Sequence, residues 1–370
     1  MGQQQLLTGS YHPKDCQFLL QEAEGVELLT VEEKEQRLQS GVHYSQMVSI
    51  EHAPTQAYLE IFYKLTAKYK NRLATEILQL AKLLQQTIGS SITLVSLARA
   101  GTPIGILLKR ALLALGSVSS VQHYSISIIR GKGIDEAALA YLQASGVKAD
   151  SIVFVDGWTA KGAITRELRQ AIAGWNIKNK DYQLSDKLCV VSDIGFTAHY
   201  VATHDDYVIP SGILNSTVSG LVSRTIRNPG VVGFHQCVTY HDLQNHDLSN
   251  WFIEEIASEI TQLNPVVLEA PEILDPQFQH RQHQVVLAYL TQVMKSHDIA
   301  DINKVKPGIA EATRVMLRRI PDLLILKNRH QEDVEHLLML AEEKQVSVTF
   351  DHTMPFNALA LIKDLTRNQL

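Results

Sequence analysis

Residues 151–165, Ser151-Ile-Val-Phe-Val-Asp-Gly-Trp-Thr-Ala-Lys-Gly-Ala-Ile-Thr165, place four apolar residues before an acid, a small-residue turn and a helical pattern. A short apolar run bounded this way predicts a strand buried on both faces. The first backbone amides of the helix that follows have no intrahelical partner and carry partial positive charge. Thr159, Ala160, Lys161, Gly162 and Ala163 are therefore candidates to cradle a phosphate. Asp156, at the strand end, is placed to accept hydrogen bonds from sugar hydroxyls, and Lys161 adds charge. Asp156 also fits a plain helix cap. Because Ala163 and Ile164 follow Gly162, the segment is not a Walker A loop, which disfavours a nucleotide kinase.

The same order repeats to either side. Apolar runs at Ile92–Leu97, Ser125–Ile129 and Leu188–Ser192 end in small or polar loops, and the first passes into a helical stretch over Ile104–Leu115. Strands alternating with helices predict an α/β domain over 91–263, a parallel sheet covered on both faces with ligands at the carboxyl ends of its strands. Residues 1–90 read as a helical region, with Thr30 and Glu33 forming a capping box and Pro54 opening a periodic stretch through Tyr58, Phe62 and Leu65. Pro265, Pro271 and Pro276 break periodicity and mark residues 264–284 as a linker. Residues 285–370 then form a small second α/β unit. Its expected elements are a helix after Pro307, a strand at Leu323–Lys327, a helix over Gln331–Lys344 and a strand at Val346–Phe350.

Composition narrows the function classes. A net charge of -5 gives no global attraction to nucleic acid, so any RNA contact needs a local basic patch. Three scattered cysteines, Cys16, Cys189 and Cys237, build no disulfide framework and suit a reducing cytoplasm. No apolar stretch is long enough to span a bilayer, and the N-terminus has no leader pattern. His235, Cys237, His241 and His246 match no standard metal spacing, so no resident metal is expected.

Two further loops give the pattern a family likeness. Val95-Ser-Leu-Ala-Arg-Ala-Gly-Thr-Pro103 and Ser127-Ile-Ile-Arg-Gly-Lys-Gly-Ile-Asp135 precede the first loop in an order that resembles type I phosphoribosyltransferases. The Arg99-Ala100-Gly101 step is similar to that of uracil phosphoribosyltransferases. The resemblance implies a catalytic set of Asp156, Arg99 and Lys132. It puts Arg99, Ala100, Gly101 and Arg130 on pyrophosphate, and it brings Mg²⁺ with phosphoribosyl pyrophosphate in a transfer through an oxocarbenium-like sugar. Those enzymes usually carry two adjacent acids where this chain has Asp156 and Gly157. Read as residues alone, Arg99 also fits a salt bridge and Lys132 a solvated loop charge.

His43-Tyr-Ser45, His123-Tyr-Ser125 and Ile209-Pro-Ser-Gly-Ile-Leu-Asn-Ser-Thr-Val-Ser-Gly-Leu-Val-Ser-Arg-Thr225 resemble the StiP family of bacterial stress-associated proteins. That family is often labelled cysteine protease and is also described as phosphoribosyltransferase-like in tellurium-resistance gene neighbourhoods. The resemblance implies nucleobase recognition by Asp206, Asn215, Ser219 and Arg224, and, for a protease, Cys237 as the thiol. Lys306-Pro-Gly-Ile-Ala-Glu-Ala-Thr-Arg314 resembles the RNA-contacting segment of Pelota-type domains, with Gly308, Glu311 and Arg314 at RNA and Ala310 where those domains usually have Asn. Arg318, Arg319, Lys327 and Arg329 would add a basic face, while Glu311 and Arg314 also fit a helical i, i+3 pair. Three functions follow: a phosphoribosyltransferase-like enzyme with an RNA-binding module, a cysteine protease, or a nucleotide sensor that binds RNA without turnover.

Overall fold

A computed structural model describes residues 6–116, 118–227, 230–329 and 332–363, with the Arg318 side chain outside the description. In chain order the main elements begin with β1 (Gln17–Phe18), α1 (Val31–Gln39), α2 (Gln56–Ile88), β2 (Ser91–Leu97), α3 (Gly101–Ala114) and β3 (Ser120–Ile126). They continue with α4 (Glu136–Ala144), β4 (Ile152–Val155), β5 (Trp158–Thr159), α5 (Ala163–Lys178), β6 (Leu188–Asp193), β7 (Tyr200–Thr203) and α6 (Ser249–Gln262). These strands form a parallel sheet ordered β1-β3-β2-β4-β6-β5, with β7 also beside β6.

Strand periodicity sorts the core into two layers. Leu94, Val153, Val155, Cys189 and Val191 face the layer built by α2, α3 and α6. Val95, Phe154, Leu188 and Val190 face the layer holding Leu139 and Leu142 of α4 and Leu168, Ile172 and Trp175 of α5. Burial on both faces explains why these strands read as continuous apolar runs.

The helical reading of residues 1–90 holds for α1 and α2. Thr30 and Glu33 close the capping box on α1, and Thr55, following Pro54, caps α2 through the Tyr58 amide. Residues before α1 instead run along the sheet. β1 adds an edge strand to β3, and Gln21–Glu22 pairs with Gln236–Cys237. Two-residue strands are too short to show an alternating pattern, so sequence periodicity missed them. The expected linker over 264–284 gives way to a helix after Asp275. That side chain caps α7 (Pro276–Ser296) by accepting from the Gln277 and Phe278 amides, and Pro276 occupies the first helical position, where its missing N–H is tolerated.

The C-terminal module comprises β8 (Val305–Pro307), α8 (Ile309–Arg318), β9 (Pro321–Leu326), α9 (Glu335–Glu343), β10 (Ser347–Phe350) and β11 (Ala358–Ile362). Its mixed sheet runs β8-β11-β9-β10. The helix expected from Gln331 begins at Glu335 among the described residues, and Gln331 itself lies outside them. The module docks on the first through a shared core in which Ile309, Ala312, Val315 and Met316 of α8 join Tyr207, Ile209 and Ile213. Asp206 clamps the junction: its carboxylate accepts from the Ile309 amide at 2.9 Å and the Asn357 amide at 2.8 Å. Arg319 pairs with buried Glu35 of α1 at 2.7 Å. No described helix is long and apolar enough to cross a membrane.

Candidate functional site

At the carboxyl end of the sheet two helices begin without a side-chain cap. For α5 the cap position is Gly162, at φ 68°, and for α3 it is Ala100. Gly162 needs its missing Cβ, because one there would lie 2.6 Å from Thr197 Cγ2. Gly101 lets α3 start directly against β4, since a Cβ would sit 2.3 Å from the Val155 carbonyl oxygen. The 193–198 loop braces the α5 turn from below. Asp193 accepts from the Gly195, Thr197 and Ala198 amides, and Thr197 Oγ1 lies 3.2 Å from Thr165 Oγ1. No side chain among the described residues takes the first α5 amides, so they remain available to an anion.

Asp156 shares a cleft of about 320 Å³ with Thr159, Ala160, Lys161, Ala163, Ala100 and Arg130. Among the described residues its carboxylate accepts one hydrogen bond, from the Gly157 amide at 2.8 Å. Burial pushes its pKa up to about 7. The opposite wall comes from the C-terminal module: Lys306, Pro307, Glu311 and Arg314. Arg314 stacks over the Trp158 ring at 4.7 Å and pairs with Glu311 at 3.2 Å. Burial alone would raise the Glu311 pKa, but Arg314, Lys306, Lys161 and Arg130 reverse that and hold it at about 2. Burial lowers Lys161 to about 7 and Lys306 to about 8. Lys161 Nζ donates to the carbonyls of Ile302 at 2.8 Å and Val305 at 2.7 Å, tying the phosphate loop to the second module. The cleft adjoins a larger cavity of about 810 Å³, which shares Tyr44, Arg130, Arg224, Lys306, Glu311 and Arg314.

Other expected residues are spent elsewhere. Arg99 borders the cleft but is buried in an ion pair with Glu51, and it also donates to the Val222 carbonyl. The Ala98–Arg99 peptide bond is cis. Lys132 is exposed and lines a different cavity, with Asp135, Arg227 and His235. The hairpin that carries it, Ile128–Ile129 paired antiparallel with Gly133–Ile134, is pinned: Glu167 accepts from the Gly131 and Gly133 amides, and the Tyr44 hydroxyl accepts from the Arg130 amide. Arg130 therefore meets the cleft and Lys132 does not. Asp206 is used in the junction. Asn215 lines a cavity of about 330 Å³ behind Arg99, and its carbonyl accepts from Ser219 Oγ at 2.8 Å. Arg224 borders the cleft, donates to the Met47 carbonyl at 2.9 Å, and burial lowers it to about 10.

The residues expected at RNA turn inward. Gly308 is buried at φ 90°, with Ile194 Cδ1 2.8 Å from where a Cβ would stand, and Glu311 and Arg314 face the cleft. Of the proposed basic face, Arg319 is paired with Glu35. Cys16, Cys189 and Cys237 are all buried, and burial raises each thiol, Cys237 to about 12. Sequence reasoning missed Tyr44, Trp158, Lys306 and Glu51. Tyr44 sits between Arg130 at 5.4 Å and Arg224 at 4.9 Å. Only the likeness of His43-Tyr-Ser45 to a family stretch signalled it.

A family model described as "Tellurite-like stress resistance cysteine protease StiP" matches residues 9–257, and one described as "PELOTA RNA binding domain" matches residues 284–364. "Cysteine protease StiP" of Acinetobacter baylyi is 41% identical over 375 residues, covering 97% of this chain and 94% of its own. Among solved structures, an HPRT with an invariant aspartic acid changed to alanine is 15% identical. It aligns with 38% of this chain and 81% of its own at a TM-score of 0.27. Trypanosoma cruzi hypoxanthine phosphoribosyl transferase is 16% identical over 38% of this chain and 78% of its own, also at 0.27.

Proposed function

The chain belongs to the StiP family, and from that premise and the cleft we propose that it binds a ribose phosphate, with phosphoribosyl pyrophosphate the fullest candidate. The observation that carries the reading is one cleft holding both the uncapped start of α5 and Asp156. A 5-phosphate would take the amides of residues 159–163, and Asp156 as carboxylate would accept from ribose hydroxyls. Mg²⁺ would arrive on the ligand's own oxygens, since such ions keep phosphate and water ligands and need one or two carboxylates, for which Asp156 and Glu311 are present. When bound it would neutralise charge on the pyrophosphate.

Isothermal titration of the full chain with phosphoribosyl pyrophosphate or ribose 5-phosphate and Mg²⁺ tests this. Binding abolished by Asp156→Asn is expected, and no heat with either ligand rejects the reading. Turnover with a nucleobase or nucleoside acceptor would make it a transferase, and binding without turnover a sensor. The Pelota-type match supports RNA as a second partner, and the description of the family model supports a role in tellurite-type stress. Thiol proteolysis draws no support from the geometry, because each cysteine is buried in its neutral form.

A further inference from the structure

Arg99 is the residue that sequence reasoning puts on pyrophosphate, yet both ends of its guanidinium are occupied, by Glu51 and by the Val222 carbonyl. A second anionic group in the cleft must find other cations. Lys306, on β8, is 8% exposed, lines both the cleft and the adjoining cavity, and its Nζ makes no hydrogen bond or ion pair with the described residues. A buried ammonium without a hydrogen-bonding partner is costly unless something else completes it. Beside it, Arg314 has one nitrogen on Glu311 and its plane on Trp158, and Arg130 enters from the hairpin opposite.

We propose that Lys306 and Arg314 of the C-terminal module, rather than Arg99, take the second anionic group of a ligand whose first phosphate lies on the α5 amides. The ligand would then bridge the two modules, and the segment resembling an RNA contact would be one wall of a small-molecule site. The cleft volume suits this: about 320 Å³ is at the small end of ligand pockets. Such a ligand is a sugar carrying phosphoryl groups at both ends, so the inference rests on the ribose phosphate reading for its first phosphate only.

The test uses the full chain, inorganic pyrophosphate with Mg²⁺, and ribose 5-phosphate, each titrated calorimetrically. Lys306→Gln should weaken pyrophosphate at least about ten-fold, the loss expected for one charge-assisted contact. It should leave ribose 5-phosphate within about two-fold, and because the ammonium it removes makes no hydrogen bond with the described residues the fold should persist. Arg314→Lys, which keeps the charge and loses the planar fork, should show a smaller loss of the same kind. Wild-type pyrophosphate affinity in both variants overturns the proposal, as does a wild-type chain that binds no pyrophosphate. An RNA hairpin released by Arg314→Lys with pyrophosphate unaffected also overturns it and returns the residue to RNA. A wild type that ignores both ribose 5-phosphate and phosphoribosyl pyrophosphate while its pyrophosphate binding depends on Lys306 rejects the earlier reading and leaves Lys306 as an anion-binding residue.

Discussion

Two loops at the same end of the sheet began with equal claims on a ligand. Both follow a central strand, both open a helix that no side chain caps, and both carry a residue suited to phosphorylated sugars. After β4 the first α5 amides and the acid remain open to the cleft, whereas at 98–101 the arginine is spent on Glu51. A motif fixes where a side chain stands, but not whether a residue 48 positions earlier already holds it. The difference lies in packing, and it can be probed by removing each partner in turn.

The largest effect is expected from Glu51→Ala. It leaves Arg99 buried without its counter-ion and should cost about 3–5 kcal/mol in denaturant unfolding. A loss below about 1 kcal/mol would mean that Arg99 is free to swing to the cleft, erasing the contrast between the loops. Next comes the pH dependence of stability. Asp156 has a raised pKa in the fold, so its contribution is complete below its ordinary carboxyl value and lost as pH rises through about 7. Asp156→Asn should therefore gain on wild type between about pH 4 and 7 and level off above. Lys161 behaves in mirror image. Its pKa is depressed, so stability falls as pH drops from its ordinary range toward about 7, and Lys161→Met should gain on wild type there. Denaturation midpoints measured across pH check both, and two flat difference curves would deny that these groups are buried together.

Gly162→Ala should cost about 1–3 kcal/mol, from the left-handed backbone and the Thr197 contact, and should lower ribose phosphate affinity as the amides tilt. Unchanged affinity would sever the α5 turn from the ligand. The smallest effect belongs to Lys132→Ala, which should stay within about two-fold for pyrophosphate, as exposed changes usually do. A large loss there would restore the hairpin lysine to the site and weaken the case for Lys306.

Much of the architecture was legible because burial on both faces leaves continuous apolar runs. Ile152–Val155 is the strand that its sequence predicts, and Leu188–Ser192 falls one residue short of β6. Legibility failed where a role depends on distant partners. Nothing local to Asp206 shows that it holds Ile309 and Asn357, and nothing in residues 306–314 shows that their polar face turns inward. β1 and the pairing of Gln21–Glu22 were invisible for a different reason, being too short to carry a period.

The chain has three tryptophans, and they sit in unlike surroundings. Trp175 is sealed in the layer under α5, and Trp251 packs edge-on against Tyr63 of α2. Trp158 alone lines the cleft, with a guanidinium on its face. Molecules that draw Arg314 away would change the indole's electric field and hence its emission, so the protein carries its own optical gauge of occupancy, readable without a label.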